Sequence, residues 1–204
     1  MNNNTNNRTG QLKKIKDAVF NLKESPLYNY RQQNNYFPVL GEGSHNARIM
    51  FIGEAPGVNE AKSGRPFCGA AGKILDELLE SANINRTDVY ITNIVKDRPP
   101  GNRDPLPEEI AIYSPFLNEQ INVIQPRALA TLGRFSMYYI MEKFGLENEL
   151  EPISQMHGRM FTSQTPYGQV KIIPLYHPAV AVYNPHAKEG LKKDFAILKT
   201  IMLE

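Results

Sequence analysis

The chain has 204 residues, 41% hydrophobic and 22% charged, with a net charge of +2, which suits one sizeable globular domain and argues against a disordered or strongly basic chain. No apolar run approaches the roughly 20 residues of a membrane span. The asparagine-rich start, Met1 to Asn7, lacks the apolar stretch of a secretory signal.

Residues 1–9 are therefore expected to form a disordered tail ahead of a single domain over 10–204, located inside the cell. Leu12, Ile15, Val19, Phe20 and Leu22 recur at near-helical spacing and predict a helix from about Gly10 to Leu22. The Pro-, Tyr- and Asn-rich stretch Ser25 to Pro38 reads as irregular. Ile49 to Ile52 is a short buried strand, and Gly69 to Ala82 a helix with Ala71, Ile74, Leu75, Leu78 and Leu79 on one face. Val89 to Val95 is a second strand-like run. Pro107 opens a helix whose Glu108 and Glu109 suit its positive N-terminal end. Ala128 to Leu132 is a third strand, followed by a helix from Gly133. Val170 to Tyr176 is a fourth strand, and Lys188 to Leu203 a closing helix.

Strands alternating with helices imply parallel strands covered on both faces. Three of the four strands run directly into polar loops, at Gly53-Glu54, Asn93 and His177. Such loops gather at the carboxyl edge of a parallel sheet, so Glu54, Asn93 and His177 are expected together if their strands are neighbours. Gly53-Glu54-Ala55-Pro56-Gly57 makes a tight turn where backbone can approach a ligand. An asparagine at a strand end, Asn93, offers both a donor and an acceptor. Pro178 keeps the backbone of His177 out of the helical region. Arg98-Pro99-Pro100-Gly101-Asn102-Arg103 is a rigid loop carrying two arginines, a composition suited to phosphate. The single cysteine, Cys68, reads as a small buried residue. A lone cysteine excludes an intrachain disulfide, a Cys-rich zinc site and a four-cysteine cluster.

The run Arg48 to Glu60 with Gly64-Arg65-Pro66-Phe67-Cys68-Gly69, and the distant Pro174-Leu175-Tyr176-His177-Pro178-Ala179, together resemble the uracil-DNA glycosylase superfamily, most closely its family 4 enzymes. That resemblance implies a three-layer α/β/α sandwich with a central, mainly parallel four-stranded sheet. It implies hydrolysis of the N-glycosidic bond of deoxyuridine flipped out of DNA. Glu54 would position the attacking water, Glu60 line the pocket, Phe67 stack on uracil and Asn93 read its N3–H and O4. His177 would donate to O2 as negative charge develops. Arg98 and Arg103 would grip phosphates. Pro178, Ala179, Val180 and Tyr183 belong to a loop that wedges into the duplex, with Tyr183 where an arginine is common. The expected partner is uracil-containing DNA and the expected state a monomer. A non-catalytic DNA-binding or replication-associated module on the same fold is the alternative. A glycosylase that traps the sugar covalently is disfavoured, because Ala61-Lys62-Ser63-Gly64-Arg65 lacks the histidine that chemistry uses.

Family 4 enzymes hold a [4Fe–4S] cluster on four cysteines. By motif, those positions here are Leu22, Ser25, Asp97 and Tyr113. No cofactor is therefore expected, and apolar packing by Leu22, Leu27 and Tyr113 is expected to hold the two flanking segments.

Overall fold

The computed structural model describes residues 3–203. One six-stranded sheet forms the middle layer, in the order β1-β3-β2-β4-β6-β5. Its centre is the expected quartet, β2 (Ile49–Gly53), β3 (Tyr90–Asn93), β4 (Ala128–Leu132) and β6 (Gly168–Leu175), all parallel. Two antiparallel edges extend it: the two-residue β1 (Glu42–Gly43) beside β3, and β5 (Phe161–Thr165), paired with β6 through a turn at Pro166-Tyr167. The expected count of four is thus corrected to six. β1 is too short, and β5 too polar with its alternating half-exposure, to read as an apolar strand.

The buried strands send alternate residues to opposite faces. Met50 and Ile52 join a core with Leu12, Ile15 and Val19 of α1 (Asn3–Phe20), Leu117 and Ile121 of α5 (Pro107–Ile124), and Met137 and Ile140 of α6 (Arg134–Lys143). Ile49 and Phe51 face the other core, with Leu75, Leu78 and Leu79 of α4 (Ala70–Ser81) and Phe195 and Leu198 of α9 (Lys188–Leu203). Phe51 stacks on Phe195 at 5.8 Å between ring centroids. The result is the three-layer α/β/α arrangement.

Helix α1 starts well before Gly10, which corrects the disordered tail over the described part of residues 1–9. Its early turns are tied down: Arg8 donates to Asn46 Oδ1 at 2.8 Å and Thr9 Oγ1 lies 2.8 Å from His45 Nδ1. Met1 and Asn2 lie outside the described residues.

Short helices also appear in three stretches that read as loops. These are α2 (Tyr28–Gln33), α3 (Val58–Ser63) and α8 (Ala179–Tyr183); α7 (Ile153–Met156) is a single turn before β5. For α3 the flanking glycines were a usable signal. Gly57 stands at its N-cap, and Gly64 ends it in the left-handed region at φ 72°. The joint between the 22–33 segment and α5 is not the purely apolar contact expected. Leu27 and Tyr113 are buried, but Ser25, Asp97 and Arg31 are buried with them and hydrogen-bonded. Among the described residues, no helix is long and apolar enough to cross a membrane.

Candidate active site

At the carboxyl edge of the sheet lies a cleft of about 190 Å³ whose lining includes Glu54, Glu60, Phe67, Asn93, Arg103 and His177. The parallel register explains the first pairing. Gly53 sits opposite Asn93, and the ladder continues one step further, with Ile94 N–H donating to Gly53 O and Val95 N–H to Glu54 O, both at 3.0 Å. Glu54 and Asn93 therefore leave adjacent strands side by side. His177 follows β6, which is separated from β2 by β4. It reaches the same cleft past Gly133, the residue after β4, whose φ of +100° and missing side chain leave room against His177 Cβ.

Asn93 is 2% exposed, and its side-chain amide has no hydrogen-bond partner among the described residues, so its donor and its acceptor are both available to a ligand edge. Gly53 makes this possible. A Cβ there would collide with Asn93 Oδ1 and come within 2.9 Å of the Phe67 ring.

Phe67 is buried in the left-handed region at φ 47°, uncommon for a bulky residue and a mark of a built turn. Two contacts hold that turn. The peptide of Phe67 crosses Gly72 so closely that any side chain at 72 would strike the Phe67 carbonyl. Glu60 Oε1 accepts from the N–H groups of Cys68 and Gly69, each at 2.9 Å. Glu60 thus lines the cleft as expected, while one carboxylate oxygen braces the loop that presents Phe67. Cys68 is exposed, with its Sγ 3.2 Å from Ser63 Oγ, which corrects its expected burial. The Phe67 and His177 rings lie 5.6 Å apart, inclined at 33°.

The two titratable groups at the mouth are pushed toward their neutral forms. Burial, reinforced by the nearby Asp104 charge and partly offset by Arg134, raises the Glu54 carboxyl to about 7. Burial lowers His177 to about 4, against the opposing pull of Glu60. A neutral imidazole has one N–H. His177 Nδ1 accepts from Ala179 N–H at 3.2 Å, so the ring proton resides on Nε2. Glu54 makes no side-chain hydrogen bond to the described residues, leaving its oxygens to water or ligand.

The loop after β3 behaves differently from the expectation for it. Arg103 lines the cleft, but its guanidinium is forked onto Glu109, at 2.8 and 2.6 Å. Burial acts to raise the Glu109 carboxyl, yet Arg103 and the N–H of Leu106 hold it below its usual range. Arg98 stands off the cleft, donating to Tyr30 Oη at 2.9 Å with its guanidinium over the Tyr36 ring. Beyond His177, Pro178 is buried and caps α8, Ala179 is its first residue, Val180 is 37% exposed and Tyr183 is 88% exposed.

Lys96 is the residue sequence reasoning passed over. It is fully buried beneath Asn93 and donates to Asn93 O (2.6 Å), Gln120 Oε1 (2.7 Å) and Thr92 Oγ1 (2.8 Å). Burial pulls its pKa well down. Three acceptors nonetheless match the three N–H groups of an ammonium. A lysine four residues past a buried threonine is no signal in itself, because its third partner, Gln120, comes from α5.

The cleft can hold a small planar ring against Phe67, read its edge with a fixed amide, donate to a carbonyl from a neutral imidazole, and keep a carboxylate near a water. The sequence model of the Uracil DNA glycosylase superfamily matches residues 40–199. The chain is 44% identical over 193 residues to the type-4 uracil-DNA glycosylase of Sulfurisphaera tokodaii, an alignment covering 94% of this chain and 85% of that protein. It is 42% identical over 186 residues to the type-4 enzyme of Saccharolobus solfataricus (91% and 83% covered). With the type-4 enzyme of Archaeoglobus fulgidus it shares 43% identity over 166 residues, 81% of each chain. With that coverage, and with the motif residues gathered in one cleft, the chain belongs to the uracil-DNA glycosylase superfamily, within its type-4 branch.

Proposed function

We propose that this protein is a monofunctional uracil-DNA glycosylase that opens base excision repair by hydrolysing the N-glycosidic bond of deoxyuridine. The observation that carries the reading is the pairing of an unengaged, buried Asn93 amide with a neutral His177 whose proton is on Nε2. Uracil presents O4 as an acceptor and N3–H as a donor, which a held amide matches. Cytosine reverses both and would leave buried polar groups unpaired, at about 1–3 kcal/mol each.

A base inside a duplex is unreachable, so the nucleotide is flipped out to stack on Phe67. As the C1′–N1 bond stretches, the electron pair moves onto the base, and negative charge collects on O2 and O4. His177 Nε2–H stabilises O2 and the Asn93 amide stabilises O4, both preorganised before the charge appears. The sugar becomes cationic. Glu54, when ionised, stabilises it and orients the water that attacks C1′, leaving a deoxyribose hydroxyl and free uracil.

Tyr183 and Val180, exposed on α8 beyond His177, enter the duplex where the nucleotide leaves, with Pro178 and Ala179 setting the start of the wedge; Tyr183 can stack on bases. Arg103 and Arg98 shape the loop that faces the phosphates, although each is engaged within the protein. The protein acts as a monomer on uracil-containing DNA, inside the cell.

The type-4 resemblance also implies a [4Fe–4S] cluster, and the residues at the four matching positions do not fit one. Leu22 is aliphatic, while Ser25, Asp97 and Tyr113 offer a hydroxyl, a carboxylate and a phenol, none of them a thiolate. Those oxygens are hydrogen-bonded to one another. The protein works without a cluster, and no step above uses one.

The test is release of uracil from a uracil-containing oligonucleotide, read as strand cleavage after alkali. Wild type is expected to cleave and Asn93→Asp to lose activity strongly. No cleavage by wild type on single- or double-stranded substrate would overturn the enzyme reading in favour of a non-catalytic DNA-binding module. An absorption band of cluster type, with iron, would overturn the cofactor reading.

A further inference from the structure

Four side chains at the back of the active-site loop are almost completely enclosed: Ser25 (5% exposed), Arg31 (2%), Asp97 (1%) and Tyr113 (0%). They form one directed chain. Tyr113 O–H donates to Asp97 Oδ2 at 2.6 Å, so the 2.7 Å contact between Ser25 and Tyr113 is donated by the serine. Ser25 Oγ in turn accepts from Leu27 N–H at 3.1 Å. Arg31 Nη1 reaches both Asp97 oxygens, at 3.2 and 3.0 Å. Arg31 also donates to Val19 O and Phe20 O at the end of α1 (3.2 and 2.7 Å), with its guanidinium 5.0 Å from the Tyr28 ring centroid. The chain therefore joins α1, the 22–33 segment, the loop after β3 and α5. Asp97 lies in the loop after β3, whose Pro99, Asn102 and Arg103 line the cleft.

We propose that this buried Ser25–Tyr113–Asp97–Arg31 chain does the mechanical work of the missing iron–sulfur cluster, holding the 97–106 loop in the position that the DNA substrate meets. The inference rests on the reading of the protein as a cluster-free uracil-DNA glycosylase. Three of its four members stand where the resemblance places cysteines, and the fourth, Arg31, bridges to α1. A cluster joins such segments through four metal–sulfur bonds. Here the same segments are joined through charge-assisted hydrogen bonds, which are short and directional in a dry site. Asp97, Tyr113 and Arg31 are positioning residues: Asn93 ends β3, and Glu54 and His177 lie one and two residues past the ends of β2 and β6, while the chain sets the loop at the rim.

The decisive variants are Tyr113→Phe, which removes one hydroxyl and keeps the ring, and the milder Ser25→Ala, which keeps the protein folded should the first not be. Three readouts separate the outcomes. Iron content and the visible spectrum of freshly purified wild type come first; iron held in a cluster overturns the inference. Hydrogen exchange comes second. Tyr113→Phe is expected to speed exchange at least about tenfold in 22–33 and 97–106 while leaving β2, β4 and β6 unchanged, because local opening follows the lost contact. Ser25→Ala should do the same more weakly. Steady-state kinetics come third. KM for a uracil oligonucleotide is expected to rise about tenfold with kcat held within about threefold, since the loss is of binding geometry and not of chemistry. Protection unchanged in both segments, or lost uniformly over the sheet, overturns the proposal. So does a fall in kcat with KM constant. An inactive wild type defeats the glycosylase reading alone, and the exchange experiment still decides this one.

Discussion

Replacing Glu54 with glutamine separates what the carboxylate does for catalysis from what it costs the fold. Burial raises its pKa from the ordinary 4.5 to about 7. A group whose folded pKa is raised favours folding below its unfolded value, and that contribution is lost as pH rises through the folded one. Wild type should therefore lose stability between about pH 4.5 and 7 in a way the Gln variant does not. At about 1.4 kcal/mol per pH unit the full rise would be worth roughly 3 kcal/mol. Glu54 is only half-buried, so solvent screening reduces this to about 1–2 kcal/mol. In a chain of this size that is a Tm about 3–6 °C higher for Glu54→Gln near pH 8.5, with no difference near pH 4. Differential scanning fluorimetry across pH measures it. Because the carboxylate has no hydrogen-bond partner among the described residues, the amide forfeits no contact. In the same variant, excision should fall by about 10²–10⁴. Wild-type kcat/KM should climb with pH up to about 7, and the variant should be flat there, since His177, lowered to about 4, stays neutral above pH 5. A Tm difference independent of pH, or an acid limb retained in Glu54→Gln, would refute the assignment of that carboxylate.

Gly53→Ala should cut kcat/KM by about 10²-fold, because the new methyl displaces both the Asn93 amide and the Phe67 ring and sub-ångström placement matters at that level; unchanged kinetics would show that the two side chains relax freely. Asn93→Asp should lose about 10²–10³ in kcat, the usual consequence of removing a donor to a developing anion. Lys96→Met should lower Tm strongly. It takes the lysine donor from two buried acceptors, Asn93 O and Gln120 Oε1, each worth about 1–3 kcal/mol, and urea titration of the variant gives the value. Tyr183→Ala should leave activity on single-stranded uracil DNA intact and reduce it on duplex by about tenfold, a stacking contact being worth about 1–3 kcal/mol; equal losses on both substrates would remove it from the wedge.

The strands and their polar exits into the cleft were legible because each signal is local. Ile49–Ile52 is a short apolar run that ends in Gly53-Glu54, and Tyr90–Asn93 ends in the asparagine that lines the cleft. What escaped depends on partners far away in sequence. Ser25 and Tyr113 are 88 residues apart, and Arg31 and Asp97 are 66 apart. Taken singly they look like an ordinary loop serine, core tyrosine and surface ion pair. Only their coincidence with the cysteine positions marked three of them. With Arg103 the arginine was visible, but its pairing with a buried Glu109 six residues on was not. Residues 3–9 read as a tail because their composition is polar. The helix is anchored there by contacts to Asn46, His45 and Gln125, which no local pattern carries.

The register of Gly53 against Asn93 has a consequence for how this site can change. Neighbouring strands lie about 4.8 Å apart whatever their side chains, so the interval between the points where Glu54 and Asn93 leave the sheet is set by the backbone. Drift in the outer helices can repack both cores without altering that interval. Redesign toward a larger base meets the same constancy as an obstacle. Point substitutions can reshape the walls of the cleft, but the span between Glu54 and Asn93 yields only to a bulge, which breaks the ladder locally, or to a slipped strand, which turns all of that strand's side chains to the opposite face.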